Sequence, residues 1–264
     1  MKNQILLAFR YLKYLGISKT RFSIKSPFIS DLLTHVLQSK KTYYAYQQID
    51  DSREKLLANQ NKIEVTDLGA GSLVNNKKQK KIADIAKLAA KPDFLGKVLF
   101  ELTNHFQPKN IIELGTSLGM SSLYLYNGCK APNYYTLEGC PETAKVAAKN
   151  FIDNGIKNIK IVTGDFSETL PVVLSKLNQV DFVFFDGNHQ KQPTLDYFYL
   201  CLDKATPKTV FVFDDIHWSK EMEEAWEEIK KHPKVTLTVD MFWLGLVFFK
   251  TDEKEEHFIL NTII

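Results

Sequence analysis

The segment Asn110-Ile111-Ile112-Glu113-Leu114-Gly115-Thr116-Ser117-Leu118-Gly119, running straight into the apolar-stippled stretch Met120 to Tyr126, constrains this chain more than any other. It reads as a buried strand, a glycine turn and the start of a helix. Strands buried on both faces need helices on both sides, so the expected fold class is α/β, a Rossmann-like doubly wound sheet. The downstream chain keeps step with that beginning. Strands are expected at 134–138, 159–163, 181–185 and 209–213, with helices at 141–154, 167–177 and 195–202. Ser219 caps an acidic helix that stops before Pro233, and 235–241 with 243–250 make a closing antiparallel pair, giving seven strands.

The upstream third differs in charge. Residues 1–91 hold 17 Lys and Arg against 7 Asp and Glu, whereas 92–264 hold 17 against 24. This divides the chain into a basic helical N-terminal extension, 1–91, supplying cap, substrate or dimer contacts, and an α/β domain, 92–264. Helices are expected at 2–15, 28–37, 47–59, 77–90 and 95–106. In the first, Ile5, Leu6, Phe9, Leu12 and Leu15 share one face, which suits docking on the domain or on a second subunit of a homodimer more often than a membrane surface. The lysines are plainly accounted for by solvation. No aromatic–basic interleaving forms a nucleic-acid reader, and no apolar run is long enough to span a bilayer. Cys129, Cys140 and Cys201 form no CxxC pair, which points to a reducing, cytoplasmic setting.

A Gly-x-x-x-Gly spacing alone identifies nothing. Glu138, at the tip of the second strand and 19 residues after Gly119, adds a carboxylate placed to accept both vicinal hydroxyls of a ribose. NAD and S-adenosylmethionine both carry that ribose. The loop lacks the close-set glycines that admit a pyrophosphate, which favours the methyl donor. A second glycine motif, Asp67-Leu68-Gly69-Ala70-Gly71, has no acidic strand end about 20 residues on and reads as a turn, a lid or a substrate contact.

With these residues in view, the segment from Ile111 to Ser121 resembles motif I of class I S-adenosylmethionine-dependent methyltransferases, of the catechol and caffeoyl-CoA O-methyltransferase type. Thr136-Leu137-Glu138 resembles the ribose motif, Val162-Thr163-Gly164-Asp165-Phe166 the adenine motif, and Val180 to His189 motif IV. The resemblance covers roughly residues 95 to 250. It implies cofactor contacts at Glu113, Gly115, Thr116, Ser117, Gly119 and Ser121, at Glu138 and Gly139, at Gly164, Asp165 and Phe166, and at Asp186. It further implies a Mg²⁺ ion on Asp186, Asp214 and Asp215 that orients the hydroxyl of a small-molecule acceptor; the alternative, that Asp214 and Asp215 only cap a turn, stays open. The family's catalytic lysine stands three residues after the motif IV aspartate, where this chain has His189. Near its usual pKa of about 6.5 a histidine can take a hydroxyl proton, so Asp186 and His189 are the expected catalytic pair. Lys191 is a reserve base, and His217 and Trp218 are candidate acceptor contacts.

Two other readings compete, a nucleotide-dependent oxidoreductase on the same architecture and a non-catalytic interaction protein. Glu138→Ala tests the methyl-donor assignment. Losing a bidentate charged acceptor should weaken S-adenosylhomocysteine binding by about tenfold or more; unchanged affinity by calorimetry would refute the cofactor assignment.

Overall fold

Alternate apolar residues along a strand must be covered on both sheet faces, and the central sheet of this protein is covered in that way. The computed structural model describes residues 2–20, 23–66, 79–89, 93–250 and 256–261. Its elements are α1 (Lys2–Ile17), α2 (Pro27–Leu32, continued by a π-helical turn Leu33–Leu37), α3 (Tyr44–Ala58), β1 (Lys62–Glu64), β2 (Gln79–Lys81), α4 (Ile82–Ala89) and α5 (Asp93–Phe106). The α/β alternation follows as β3 (Asn110–Leu114), α6 (Met120–Cys129), β4 (Asn133–Glu138), α7 (Pro141–Asp153), β5 (Ile159–Thr163), α8 (Phe166–Ser175), β6 (Val180–Phe185), α9 (Lys191–Leu202), β7 (Ala205–Asp214) and α10 (Lys220–Lys230). The chain closes with β8 (Leu237–Asp240), β9 (Leu244–Phe248) and β10 (Glu256–Ile259).

Period-two alternation sorts the core. Ile111, Phe182, Phe184, Val210 and Val212 face one apolar layer, while Ile112, Leu114, Val183, Phe185, Phe211 and Phe213 face the other. The sheet order is β10-β8-β9-β7-β6-β3-β4-β5, with β9 antiparallel to β7 and β8. The chain steps outward from β3 through β4 to β5, then returns to β6 beside β3 and continues to β7. A switch point therefore opens between the carboxyl ends of β3 and β6, where open α/β sheets leave a crevice.

Among the described residues the sheet has eight strands, one more than expected, because β10 adds a parallel edge to β8. Its residues follow a charged run and only Phe258 is buried, so no alternation marked it. The helix expected over 77–90 begins at Ile82. Gln79–Lys81 instead pair antiparallel with Lys62–Glu64, a case of strand pairing overriding local helical preference. The Asp67–Gly71 motif lies outside the described residues.

Helices α2, α3 and α5 pack on the same sheet face as α6 through Ile29, Leu32, Ile49, Leu99 and Tyr124. Helix α1 docks differently from expectation. Its contact face is Tyr11, Tyr14 and Arg10: both rings lie on Phe242, at 4.8 and 5.3 Å, Tyr14 donates to the Leu260 carbonyl, and Arg10 pairs with Glu223 at 2.9 Å. Aromatic rings with polar ends and one guanidinium supply area and hydrogen bonds together, so the aliphatic stripe faces outward.

Helices α5 and α6 lie unusually close. A Cβ on Gly128 would stand 2.1 Å from Thr103 Oγ1 and 2.5 Å from the Phe100 carbonyl. Thr103 Oγ1 donates across the gap to the Leu125 carbonyl at 2.9 Å. Gly128→Ala should force the pair apart and cost about 1–3 kcal/mol, read by chemical denaturation.

Candidate active site

The loops at the switch point are held by backbone hydrogen bonds that continue the sheet beyond its strands. Gly115 and Thr116 N–H donate to the Leu137 carbonyl at 2.9 and 3.1 Å, Asp186 N–H to Leu114 at 2.9 Å, and Gly164 N–H to Glu138 at 3.0 Å. Gly115, at φ +102°, sits so close to β6 that a Cβ would lie 2.1 Å from the Asp186 carbonyl oxygen. No other residue fits there without moving the motif IV strand end. The result is a cavity of about 540 Å³ between these loops and α3 to α6.

Of the residues expected at the cofactor, Gly115, Thr116, Ser117, Ser121, Glu138, Gly139, Gly164, Asp165, Phe166 and Asp186 line this cavity. At its centre Glu138 accepts from Ser117 N–H through Oε2 at 2.8 Å and from Cys140 N–H through Oε1 at 2.9 Å. Asp165 accepts from Ser167 N–H and Oγ at 2.8 and 2.6 Å as the cap of α8, and these bonds hold its carboxyl below the usual range. Phe166 meets Tyr197 edge-on at 5.9 Å.

Two expected contacts take other places. Gly119 is the left-handed N-cap of α6, at φ +84°, where a Cβ would meet the Phe151 ring at 2.6 Å. Glu113 is fully buried below the cavity floor and accepts from the hydroxyls of Ser121 at 2.6 Å, of Ser122, and of Tyr134 at 2.9 Å. Burial raises its pKa, opposed by those hydrogen bonds. It braces α6 against β3 and β4 and leaves the cavity wall to Ser121.

At the opposite wall, ligand atoms of Asp186, His189 and Asp214 lie within 4.8 Å of one another, with His189 Nε2 at 3.8 Å from Asp186 Oδ1. His189 is brought there by a turn in which it and Asn188 have positive φ, +21° and +65°. Asn188 Nδ2 donates to the Tyr197 hydroxyl at 3.3 Å. Asp215 lines the same cavity but stands outside that group. It follows the last residue of β7 in a left-handed turn, φ +55°, with its N–H on the Trp243 carbonyl at 2.7 Å.

Lys191 and His217 point elsewhere. The Lys191 ammonium reaches Glu224 at 3.3 Å and Glu228 at 3.7 Å on α10. The His217 ring lies between Asp240 and Glu223 and stacks on Phe242, while Trp218 is 46% exposed and absent from the cavity wall. Sequence reasoning missed Arg53, Tyr124, Tyr197 and Trp243, which do line it. They come from helices and a turn with no motif of their own, so only the topology brings them in.

Residues 112–216 match a family profile described as a methyltransferase domain. Catechol O-methyltransferase from Niastella koreensis is 34% identical over 124 residues, 46% of this chain and 55% of that protein; its counterpart from Mycobacterium tuberculosis is 29% identical over 123 residues, 46% and 54%. The matched region thus spans about half the length of these relatives. Among solved structures, an O-methyltransferase from Bacillus cereus in complex with S-adenosylhomocysteine superposes with a TM-score of 0.54 at 20% identity, over 84% of this chain and 95% of that one. The O-methyltransferase TomG from Streptomyces achromogenes, in complex with S-adenosylmethionine, gives 0.55 at 19% identity, over 84% and 94%.

His217 generates a pH prediction. Burial alone would push its imidazole down, but Asp240 at 2.8 Å and Glu223 at 3.2 Å outweigh this, and its pKa stands above the usual value. A raised folded pKa means stabilisation that is complete below about pH 6.5 and lost as pH rises through the folded value. His217→Gln should therefore cost on the order of 1 kcal/mol at pH 6 and progressively less toward alkaline pH, measured by denaturation at each pH.

Proposed function

We propose that this chain, which carries a methyltransferase domain on a Rossmann-like O-methyltransferase fold, is an S-adenosylmethionine-dependent O-methyltransferase acting on a hydroxyl of a small-molecule acceptor. One observation carries the reading: a single cavity joins the Gly115–Ser117 turn and Glu138 to Asp186, His189 and Asp214. A donor site and a proton-accepting group in one cavity are what methyl transfer to oxygen requires.

The residues present fit the cofactor. Backbone N–H groups of Ser117 and Cys140 hold the two Glu138 oxygens in a fixed attitude at the cavity wall, the type of acceptor that a ribose hydroxyl uses. The turn at Gly115 lets backbone come close, Ser121 sits at the first turn of α6, and Phe166 offers an apolar face for a base. When bound, S-adenosylmethionine supplies an electrophilic methyl group on a sulfonium. The chain's own residues then hold the acceptor: Leu95 and Leu99 supply apolar wall, and His189 takes the hydroxyl proton as the oxygen becomes nucleophilic. Asp186 and Asp214 favour the imidazolium that results. Residues 1–91 act as the cap of this site, through Arg53, Lys80, Ile85 and Ala86, and 92–264 as the cofactor domain.

A second reading is favoured by the close grouping of Asp186, His189 and Asp214. These three would hold a divalent cation, with Asp215 nearby, and the cation would orient the acceptor oxygen. Two carboxylates suit Mg²⁺ or Mn²⁺, and the one imidazole shifts preference away from Mg²⁺ toward transition-metal ions. His189 would then be a ligand, and the proton would leave by another route.

Calorimetry with S-adenosylhomocysteine should show binding, and NADH none; the reverse result would sink the proposal. His189→Ala should lower methyl transfer to a catechol or simple phenol by about a hundredfold or more while leaving S-adenosylhomocysteine affinity within about twofold. Under the base reading, divalent ions leave activity unchanged. Under the metal reading, activity needs Mn²⁺ or Mg²⁺, and both Asp186→Ala and His189→Ala abolish the heat of metal binding.

A further inference from the structure

Helix α1 presents an apolar surface that nothing in the described chain covers. Ile5, Phe9 and Leu12, at 56%, 67% and 63% exposure, form a stripe at spacings of four and three, flanked by Leu6 and Leu15 at 53% and 38%. Such exposure along one stripe of a helix is unusual, because isolated apolar side chains are common on surfaces but aligned ones are not. The helix is fixed in this attitude by its opposite face, through Tyr11, Tyr14 and Arg10. It cannot roll the stripe inward without breaking those contacts.

The charge around the stripe says what covers it. The first acidic residue of the chain is Asp31; before it stand Lys2, Arg10, Lys13, Lys19, Arg21 and Lys25. Lys13, Lys19 and Lys25 are exposed. A second copy meeting this helix through the same stripe would bring two helices without any carboxylate together, so like charges would face each other. The acidic helix α10 beside it is paired: Glu223 with Arg10, Glu224 and Glu228 with Lys191, and Glu227 with Lys230. An apolar stripe edged by the exposed Lys13, on a segment with no carboxylate before Asp31, is the chemistry of a helix lying in a lipid headgroup layer.

We infer that α1 seats the protein on an anionic lipid surface, with Ile5, Phe9 and Leu12 entering the boundary between headgroups and acyl chains. This is peripheral attachment; among the described residues no helix is long and apolar enough to cross a membrane. The inference stands apart from the proposed reaction, since it rests on the outer face of α1 and none of the cavity residues. It also has a route to the site. Arg10 holds the carbonyls of His217 and Trp218, and Trp218 N–H donates to the Asp215 carbonyl at 2.9 Å. The lipid-facing helix and the cavity thus share the turn after β7.

Co-sedimentation with vesicles tests it. The 264-residue protein should bind phosphatidylglycerol–phosphatidylcholine vesicles, bind pure phosphatidylcholine roughly tenfold more weakly, and be released at 0.5 M NaCl, on the order of a 4 Å screening length. The double variant F9E/L12E should lose at least about tenfold in affinity, and Lys13→Glu a few-fold, with far-UV circular dichroism and the thermal transition unchanged. Absence of binding to the anionic vesicles would overturn the inference, as would unaltered binding by F9E/L12E. A stable dimer that F9E/L12E converts to monomer, seen by sedimentation velocity without vesicle binding, would assign the stripe to a second copy instead.

Discussion

The architecture of the site depends on one carboxyl group buried beneath it. Glu113 has no exposed surface, and a carboxylate or a carboxylic acid in such a place is tolerated only when its oxygens are matched by donors. Ser121, Ser122 and Tyr134 match them, and they come from α6 and β4. The same three bonds that satisfy the group therefore fix the first turn of α6 over the sheet. Ser121 stands at the crevice wall with its hydroxyl on Glu113. Had this position been apolar, α6 would keep its packing and lose this brace.

Around that anchor, the crevice is assembled from strand ends. Gly115, Glu138, Gly164, Asp186 and Asp214 belong to β3, β4, β5, β6 and β7 or to the residues following them, and the ends of β3, β4, β5 and β6 are tied by backbone hydrogen bonds. Side chains from five separate segments thus hold station without long connecting loops. The tight fit at Gly115 against Asp186 shows how little slack remains between the turn after β3 and the turn that carries His189.

This construction explains which parts were legible in the sequence. Parallel strands with apolar alternation and a glycine turn specify the sheet, and strand-end residues at regular intervals specify most of the cavity wall. The motif I resemblance implies a contact at Glu113; that its side chain is buried instead depends on two serines and a tyrosine whose partner no spacing reveals. Asp215 was read with Asp214, yet a left-handed turn separates adjacent residues by direction, and His189 takes its place in the group. His217 follows the acidic pair and invited a role in the pocket; its two carboxylate neighbours come from α10 and β8, 6 and 23 residues away. Strand β10 was invisible because an edge strand of four residues with one buried side chain carries almost no pattern.

The anchorage of α1 also fixes an order of assembly. Tyr14 bonds the carbonyl of Leu260, Lys19 N–H donates to Ile259, and Asn261 N–H returns to Lys19. These contacts join residues about 240 positions apart, so closing them is the slowest kind of encounter and waits on the chain that lies between. On a ribosome, α1 is made well before the strand end that it docks on, and it docks only after that end has emerged. Throughout synthesis its aromatic face and its aliphatic stripe are exposed together, which makes this segment a natural client for a chaperone while the sheet it will join is still being made.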